Sequence, residues 1–531
     1  MSESPTVYPM EAVNLETAPP VAQVEVAETG VRPLEQSPGK LLDAVKWTFS
    51  FAAMLGTFLV GRVFYQARQF FVDPDVWWHI RIGQDILKTH HWPTTAPYSM
   101  TAPNLAWIAY EWLGDVIVGR VYQLGGTVAM FVLLIVCGAA AMLGLYYYGA
   151  LRSGNCKAGF VPAGLMCSLA FLSFTLRPQM FGYLCFVALL IVLEWFRKGV
   201  SWPLWLMPPL FLFWVNTHGS FIIGIGVLVV YLCCGLKSFQ FGSIEAIAWT
   251  QKQRMQLELA LLGALAVLPL TPYGTQLAVY PFDMMLSQPI NVANISEWRP
   301  MPFDQTFGKI FLGVAVLVVV LQLVYRFTWR FEEALLALGG ALMACIHARM
   351  LLLFVPFLVP VFAVMMARLL PPYDRKKEHY VLNAVLMAGV VAAMAYYFPS
   401  PQLLRGELET YFPVKAVEYL DTHEVPGPML NAYYFGGYLV NTGRKVFIDG
   451  RGDLYEKSGV LADYLALAEI QPGAFSVLDR YQVASCLLYQ NEKLATVLGH
   501  SPEWKKIYSD GTAVLFVRKD KADAVKATAE Q

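Results

Sequence analysis

Long apolar runs, broken by short polar connections, make up most of the chain as far as residue 400. Several runs approach 20 residues, the length that an α-helix needs to cross a hydrocarbon core of about 30 Å. The pattern predicts an α-helical polytopic membrane protein of about eleven spans. The predicted spans are 43–65, 126–149, 158–176, 180–196, 202–216, 219–236, 256–272, 307–325, 333–346, 350–368 and 380–398.

Regions outside the spans have a different character. Residues 1–40 are polar and aperiodic, which predicts a disordered tail without a cleaved signal. Residues 41–400 are predicted to form a transmembrane domain with one large loop, 66–125, rich in tryptophan and tyrosine. Residues 401–531 are predicted to form a small α/β domain. Its predicted elements are helices at Val414–Thr422, Val460–Ile470 and Lys493–Leu498, and strands at Val446–Ile448 and Ala513–Arg518.

Basic residues are distributed unevenly between alternate connections. The short turns of one set hold at most one basic residue each, whereas the other set is rich in lysine and arginine. The positive-inside rule places the basic set, and with it the N-terminus, in the cytoplasm. The loop 66–125 and the C-terminal domain are then extracytoplasmic. The basic set comprises Arg152, Lys157, Arg197, Lys198, Lys237, Lys252, Arg254, Arg326, Arg330, Arg368, Arg375, Lys376 and Lys377.

Composition excludes several classes of protein. Apolar and aromatic residues form 56% of the chain and charged residues 15%, against roughly 25% charged residues in soluble domains. The formal net charge is zero, so no overall field favours nucleic acid, and we expect no such partner. None of the eight cysteines stands in a Cys–His spacing typical of zinc sites.

Ionisable side chains collect on the predicted outer face. Carboxylates, histidines and arginines that converge at one end of a helical bundle are typical of an active site at the lipid–water boundary. Carboxylates at predicted mid-depth are rare, which argues against a transporter. The residues of this face are Asp73, Asp75, His79, Glu111, Asp115, Arg177, His218, Glu297, His347 and Arg349.

The segment that begins at Asp73 is the densest of these. Pro74 suits a helix start with Asp73 as its cap, and the helix is predicted to continue to about Lys88. Asp75 and His79 then lie on one face. The two carboxylates are predicted either to hold a metal ion such as Mg²⁺ or Mn²⁺, or to supply a base. The alternative is that they only cap the helix and offset its dipole.

The other candidates also have two interpretations. Arg177 and Arg349 suit a clamp on a lipid-linked phosphate, or contacts with membrane headgroups. His79, Glu111, His218 and Glu297 are candidate substrate contacts. Structural roles are the alternatives: His218 and His347 satisfying backbone groups at helix ends, Glu297 pairing with Arg299, and Glu111 or Asp115 on a solvated helix face. Trp77 and Trp78 are interpreted as anchors at the membrane interface, with stacking against a sugar ring as the alternative.

These features resemble the C-type (GT-C) glycosyltransferases, polytopic enzymes that use polyprenyl-phosphate sugars on the outer membrane face. The similarity lies in the acidic pair Asp73 and Asp75 just after a first span, a large outer loop, many further spans and a C-terminal α/β domain. The segments 75–79 and 447–451 are similar to those of uncharacterised bacterial membrane proteins grouped with this superfamily. The resemblance implies an inner-membrane location. It also implies that Asp73 and Asp75 activate the acceptor or bind a metal, with Arg177 or Arg349 contacting the donor phosphate.

The sequence therefore predicts a membrane glycosyltransferase. It is expected to transfer a sugar from a polyprenyl-phosphate donor to an extracytoplasmic glycan, lipid or protein acceptor, in contact with membrane lipids. A transporter or lipid-carrier flippase is one alternative. A non-catalytic subunit of cell-envelope assembly with the same fold is the other.

Overall fold

The computed structural model describes residues 40–67, 73–169, 175–294 and 298–527. The chain divides into two compact units, Met1–Val45 and Lys46–Gln531; apart from the first residues of α1, the features described below belong to the second. The predicted tail 1–40 lies outside the described residues, apart from Lys40.

Helices dominate the part of the chain before residue 400, where the sequence predicts spans. Each predicted span overlaps at least one observed helix, because each apolar run can satisfy its backbone hydrogen bonds internally. The helices are α1 Lys40–Thr48, α2 Phe51–Gln66, α3 Val76–Thr89, α4 Trp112–Ser153, α5 Cys156–Leu169, α6 Gln179–Arg197, α7 Met207–Thr217, α8 Phe221–Cys234, α9 Gln251–Ala266, α10 Thr275–Ser287, α11 Pro289–Asn294, α12 Thr306–Tyr325, α13 Phe331–Ile346, α14 Leu351–Leu369 and α15 Tyr380–Tyr396.

The length and apolar character of these helices indicate how many can cross a membrane. Among the described residues, four are long and apolar enough to cross a membrane: Trp112–Ser153, Gln179–Arg197, Thr306–Tyr325 and Ala348–Leu369. A fifth results if α15 and Pro401–Tyr411, bent by 62°, count as one span. Length and composition thus support a multi-pass protein, whereas the count of eleven stays a prediction.

Helix α4 is kinked where the sequence predicts that a span begins. Gly125 and Gly126 have non-helical dihedral angles, and Gly126 has a φ of +56°, which favours glycine. The kink separates the N-terminal segment of the helix from its apolar C-terminal segment. Glu111 and Asp115 lie at the N-terminal end, and Arg152 at the opposite end.

Arginine–glutamate pairs fix the end of the bundle away from Glu111. They join the ends of α4, α6 and α13, and their glutamates are almost fully buried. A buried carboxylate left without such a partner would be strongly destabilising. The pairs are Arg152 Nε–Glu333 Oε1 at 2.6 Å, Arg330 Nη1–Glu194 Oε2 at 2.6 Å and Arg197 Nη2–Glu332 Oε1 at 2.5 Å.

The C-terminal region combines short helices with a four-stranded sheet. Its helices are α16 Pro401–Tyr411, α17 Val414–Thr422, α18 Gly436–Asn441, α19 Gly452–Lys457, α20 Val460–Ala468, α21 Phe475–Arg480 and α22 Lys493–His500. The strands are β1 Phe239–Phe241, β2 Ile244–Ala246 and β3 Trp329–Arg330 before this region, and β4 His423–Glu424, β5 Met429–Asn431, β6 Ser485–Tyr489, β7 Trp504–Ser509, β8 Ala513–Arg518 and β9 Lys526–Ala527 within it. The sheet order is β5-β6-β8-β7, with β5 and β6 parallel and the other pairs antiparallel.

Most predicted elements of this region are confirmed, and one is wrong. The three predicted helices and the strand Ala513–Arg518 are present. Val446–Ile448 belongs to neither sheet of the region. Instead, Val446 donates its N–H to Tyr98 O and accepts from Met100 N–H, each at 2.9 Å. This buried segment satisfies its backbone against the outer loop, which ties the loop to the C-terminal region.

The outer loop and the C-terminal region share one hydrophobic core. Trp78, Ile82 and Trp107 of the loop pack in the same cluster as Leu430 and Phe447. Trp77 and Trp78 are 2% and 3% exposed, so their interpretation as anchors in the membrane interface is wrong. The indoles fill the protein interior instead and join the loop to its neighbours.

Candidate active site

A tight turn at Asp73, Pro74 and Asp75 starts the site. Asp73 Oδ1 accepts a hydrogen bond from the Asp75 N–H at 2.9 Å, as a short carboxylate side chain does in a turn. Helix α3 begins after it, with Asp75 at the N-cap position and without a side-chain capping bond. The helix predicted up to Lys88 is confirmed. The assignment of Asp73 as its cap is wrong, because that side chain closes the preceding turn.

Arg177 bridges both carboxylates of this turn. Its Nε donates to Asp73 Oδ2, and its Nη1 lies 3.1 Å from Asp75 Oδ2. A Cβ on Gly114 of α4 would lie 2.6 Å from Pro178 Cβ, so the missing side chain lets the segment around Arg177 approach. One guanidinium thus offsets part of the repulsion between two neighbouring carboxylates.

Asp73 and Asp75 differ in what remains available to a ligand. The Asp73 side chain is 1% exposed and both its oxygens accept hydrogen bonds. The Asp75 side chain is 15% exposed, and its Oδ1 is buried without a hydrogen-bond partner among the described residues. Burial raises the pKa of Asp75 to about 6; Arg177 opposes this rise and Asp73 adds to it. Asp75 is therefore a carboxylate that is ionised at neutral pH and protonated in mild acid.

Close packing of α3 against α4 places a histidine beside a carboxylate. A Cβ on Gly83 would lie 1.8 Å from Asp115 O, and one on Gly119 would lie 2.9 Å from Gln84 N. Because neither glycine has a side chain, the two helices approach closely. His79 Nδ1 consequently lies 2.6 Å from Asp115 Oδ1, with both side chains buried. The interpretation of Asp115 as a solvated face residue is wrong.

Glu111 lies between two histidines. His79 Nδ1 shares a hydrogen bond with Asp115 Oδ1, and its Nε2 lies 3.6 Å from Glu111 Oε2. His218 Nδ1 accepts the Ser220 N–H at 3.1 Å, so in the neutral ring Nε2 carries the proton, 3.4 Å from Glu111 Oε1. Each oxygen of Glu111 therefore faces one imidazole nitrogen.

The environment of Glu111 favours its neutral, protonated form. Burial raises the pKa of Glu111 to about 8. The charges of Arg349 and Arg177 lower it, and those of Asp75 and Asp453 raise it further. These four groups therefore lie within electrostatic reach of Glu111. Its interpretation as a solvated face residue is wrong, since Glu111 is buried.

Burial also keeps both histidines neutral. It lowers the pKa of His79 well below its usual value, and the charge of Arg177 adds to this effect. Burial and then the charge of Arg349 lower the pKa of His218 to about 3. Neutral imidazoles beside a neutral acid form a polar surface that can donate and accept hydrogen bonds.

Arg349 completes the positive part of the cluster. Its Nη2 donates to Gln179 Oε1 at 2.8 Å, and its guanidinium lies 5.5 Å from the Trp298 ring centre. His347 Nδ1 lies 2.6 Å from Trp298 O, so His347 supports the same loop, as its structural interpretation predicts. Arg349 and Arg177 both act on Glu111, so the structure brings the two predicted phosphate contacts to one site.

The C-terminal region also reaches the site, which the sequence did not predict. A Cβ on Gly450 would lie 1.6 Å from Asp75 Oδ1. Asp449 adds to the rise in the pKa of Asp75. The available signal was the polar turn from Asp449 to Asp453 directly after an apolar run, but nothing in it indicated which surface it contacts. Glu297, the remaining candidate, lies outside the described residues.

The carboxylates of this site do not fit a divalent cation. Mg²⁺ and Mn²⁺ need several free oxygen ligands. The oxygens of Asp73 are occupied by the Asp75 N–H and by Arg177, and Asp75 Oδ2 also faces Arg177. Within the parts of the chain that the structure describes, no group of three or more His, Cys, Asp or Glu residues is arranged to hold a metal ion. The positive charge beside the two aspartates is a guanidinium.

Comparison with known proteins gives a likeness in structure only. No protein-family model matches the sequence, and no curated protein matches it. The oligosaccharyltransferase of Archaeoglobus fulgidus, solved with a tethered acceptor peptide, superposes with a TM-score of 0.50 at 11% identity, over 83% of this chain and 70% of that one. ArnT from Cupriavidus metallidurans, solved with undecaprenyl phosphate, gives a TM-score of 0.48 at 13% identity, over 90% of this chain and 98% of that one. At its TM-score of 0.50, the likeness to the oligosaccharyltransferase shows the fold alone.

Proposed function

Starting from the C-type glycosyltransferase fold, which this chain has, we propose that the protein is a membrane glycosyltransferase. It transfers a sugar from a polyprenyl-phosphate donor to an acceptor hydroxyl or amine on a glycan, lipid or protein. The observation that carries the proposal is the bridge from Arg177 to Asp73 and Asp75, beside Glu111 and Arg349. This arrangement brings a partly exposed carboxylate and two partly exposed guanidiniums together beside the buried acid Glu111.

Asp75 is the proposed base. The acceptor oxygen or nitrogen attacks the anomeric carbon, its proton passes to the Asp75 carboxylate, and the carbon–oxygen bond to the lipid phosphate breaks. The phosphate leaves with the electron pair. A base with a pKa about 6 is mostly ionised at neutral pH and remains strong enough to accept the proton. Asp73 is the less suitable base because both its oxygens are engaged.

The arginines and the neutral cluster have separate proposed roles. Arg349 and Arg177 hold the donor phosphate, since guanidinium matches phosphate oxygens in bidentate geometry. Glu111, His79 and His218 contact sugar hydroxyls, because their uncharged donors and acceptors suit neutral polar groups. Glu111 as a neutral acid can both donate and accept.

Turnover is proposed to be independent of metal ions, since Arg177 supplies the charge beside the aspartates. Purified protein in detergent, given a polyprenyl-phosphate sugar and an acceptor pool, should release polyprenyl phosphate and form a glycoside. Adding EDTA should leave the rate unchanged. Loss of turnover with EDTA and its return with Mn²⁺ or Mg²⁺ would contradict metal independence. Transport of intact donor across vesicles without glycoside formation would contradict the proposed function and favour a flippase.

The proposed orientation places the site outside the cytoplasm, with the N-terminus inside. It rests on the lysines and arginines of the predicted cytoplasmic connections. A reporter active only outside the cytoplasm should be active when fused after Ser400 and silent after Lys377. The reverse pattern would place the site, and with it the donor, on the cytoplasmic side.

A further inference from the structure

Gly450 of the C-terminal region lies directly against the Asp75 carboxylate. A Cβ at this position would lie 1.6 Å from Oδ1, 2.6 Å from Cγ and 3.3 Å from Oδ2. These distances are far below van der Waals contact, so only glycine fits beside the carboxylate in its present position. Two segments that are distant in sequence thus meet at the proposed base.

The loop that carries Gly450 is held firmly in place. Arg451 donates to Asp449 through two parallel hydrogen bonds, Nε to Oδ1 at 2.9 Å and Nη2 to Oδ2 at 2.6 Å. The Tyr455 hydroxyl donates to Asp449 Oδ2 at 3.0 Å. These three side chains are fully buried, and charge-assisted bonds of this kind are among the strongest in proteins.

Neighbouring elements hold the same loop on its other sides. Asn431 donates to Ile448 O at 2.8 Å and accepts the Phe447 N–H at 2.8 Å. A Cβ on Gly437 would lie 2.2 Å from Pro74 O, so α18 also packs closely on the turn that carries Asp75. If Gly450 gained a side chain, the Asp75 carboxylate would therefore move more readily than the loop.

We propose that Gly450 is a positioning residue that holds the Asp75 carboxylate in place and keeps water away from its Oδ1. This contact between Gly450 and the carboxylate is called the Gly450 seat below. The inference rests on the proposed function of Asp75 and adds the C-terminal region to the active site. Gly450 presents a Cα–H group, a far weaker donor than N–H or O–H, to an oxygen that accepts no other hydrogen bond from the described residues. Because burial keeps water away from Oδ1, the carboxylate loses hydration and its pKa rises, although Arg177 and the Trp78 indole oppose part of this rise.

Gly450→Ala tests this seat. The variant should fold and should lose roughly 10²-fold in turnover, because the carboxylate is misplaced. The acid limb of its pH–rate profile should lie below the wild-type value near pH 6, because Asp75 becomes hydrated. Gly511→Ala is the matched control, since a Cβ there meets nothing within 4 Å. A fall in turnover with an unchanged acid limb would reduce Gly450 to a packing residue and overturn the inference.

Tyr455→Phe provides a second variant if Gly450→Ala fails to fold. It removes the hydroxyl bond to Asp449 and loosens the loop without adding atoms beside Asp75. The acid limb should move in the same direction by a smaller amount. An unchanged limb in this folded variant would count against the seat.

Labelling by a water-soluble carbodiimide separates this inference from the proposed function. The reagent modifies protonated carboxyls, and mass spectrometry of the Asp75 peptide at a series of pH values gives a labelling midpoint without any turnover. The midpoint should be lower in Gly450→Ala than in the wild type and unchanged in Gly511→Ala. A shifted midpoint in a protein without glycosyl transfer would support the role of Gly450 in positioning Asp75 and contradict the proposed transferase function. Equal midpoints in Gly450→Ala and the wild type, with glycosyl transfer intact, would contradict only the role of Gly450.

Discussion

Asp75→Asn should lower turnover by ~10²-fold or more, the usual contribution of a positioned base. The amide keeps the size of the carboxylate but cannot accept the acceptor's proton. Donor binding should be largely retained, because Arg177 and Arg349 are unchanged. The acid limb near pH 6 should disappear from the residual activity, since the group that titrates there has been removed. Initial rates and donor binding measured between pH 5 and 8 check both expectations.

The matched control for this variant is Asp304→Asn. Asp304 is exposed and lies in the connection before α12, outside the cluster. Its substitution should leave turnover and the pH profile as in the wild type. Wild-type glycan products from Asp75→Asn would remove the catalytic role of Asp75. The assembly-subunit interpretation would then be preferred.

Arg177→Ala should weaken donor binding by about 1.5–3 kcal/mol, the range of a hydrogen bond to a charged group. That corresponds to roughly 10- to 150-fold in affinity. The acid limb should also move above pH 6, because the guanidinium lowers the pKa of Asp75 and its removal leaves Asp73 as an uncompensated neighbour. The direction of this shift follows from the pKa, because a base with a higher pKa is protonated, and therefore inactive, over a wider range of acid pH.

Arg177→Lys keeps a positive charge and separates the two effects. It should retain more of the acid-limb position than Arg177→Ala, while losing the bidentate phosphate contact. Arg120→Ala is the control, since Arg120 is exposed on α4 and donates to the neighbouring Gln123. Should Arg177→Ala keep both wild-type donor affinity and the wild-type acid limb, Arg177 would have a structural role only.

The sequence was sufficient for the helices and for grouping the main polar residues. Apolar runs satisfy their backbone only as helices in a membrane, so their positions followed from local pattern. The proximity of Arg177 to the acidic pair also followed, because alternate connections of a bundle meet at one end. The turn closed by Asp73 and the kink near residue 126 did not follow, since the sequence predicted a helix cap at Asp73 and only the start of a span at residue 126. The number of crossings did not follow, since several observed helices are too short to decide it.

The contacts between side chains within the site could not be predicted from the local sequence pattern. The contact between His79 and Asp115 depends on how closely α3 crosses α4, which Gly83 and Gly119 permit. The neutral state of Glu111 depends on burial by residues from several elements. Such effects arise from desolvation and from distances between segments that are far apart in sequence, and no spacing along the chain encodes them.

The C-terminal region shows most clearly what tertiary structure alone decided. The sequence determined that Ala513–Arg518 is a strand and that a polar turn follows residue 448. It also suggested that Val446–Ile448 is a strand, because an extended apolar run usually joins a sheet. The fold instead pairs Val446 with the outer loop and brings Gly450 onto Asp75. The free energy of burying the shared core of loop and C-terminal region selects this arrangement, and that core exists only when both segments are packed together.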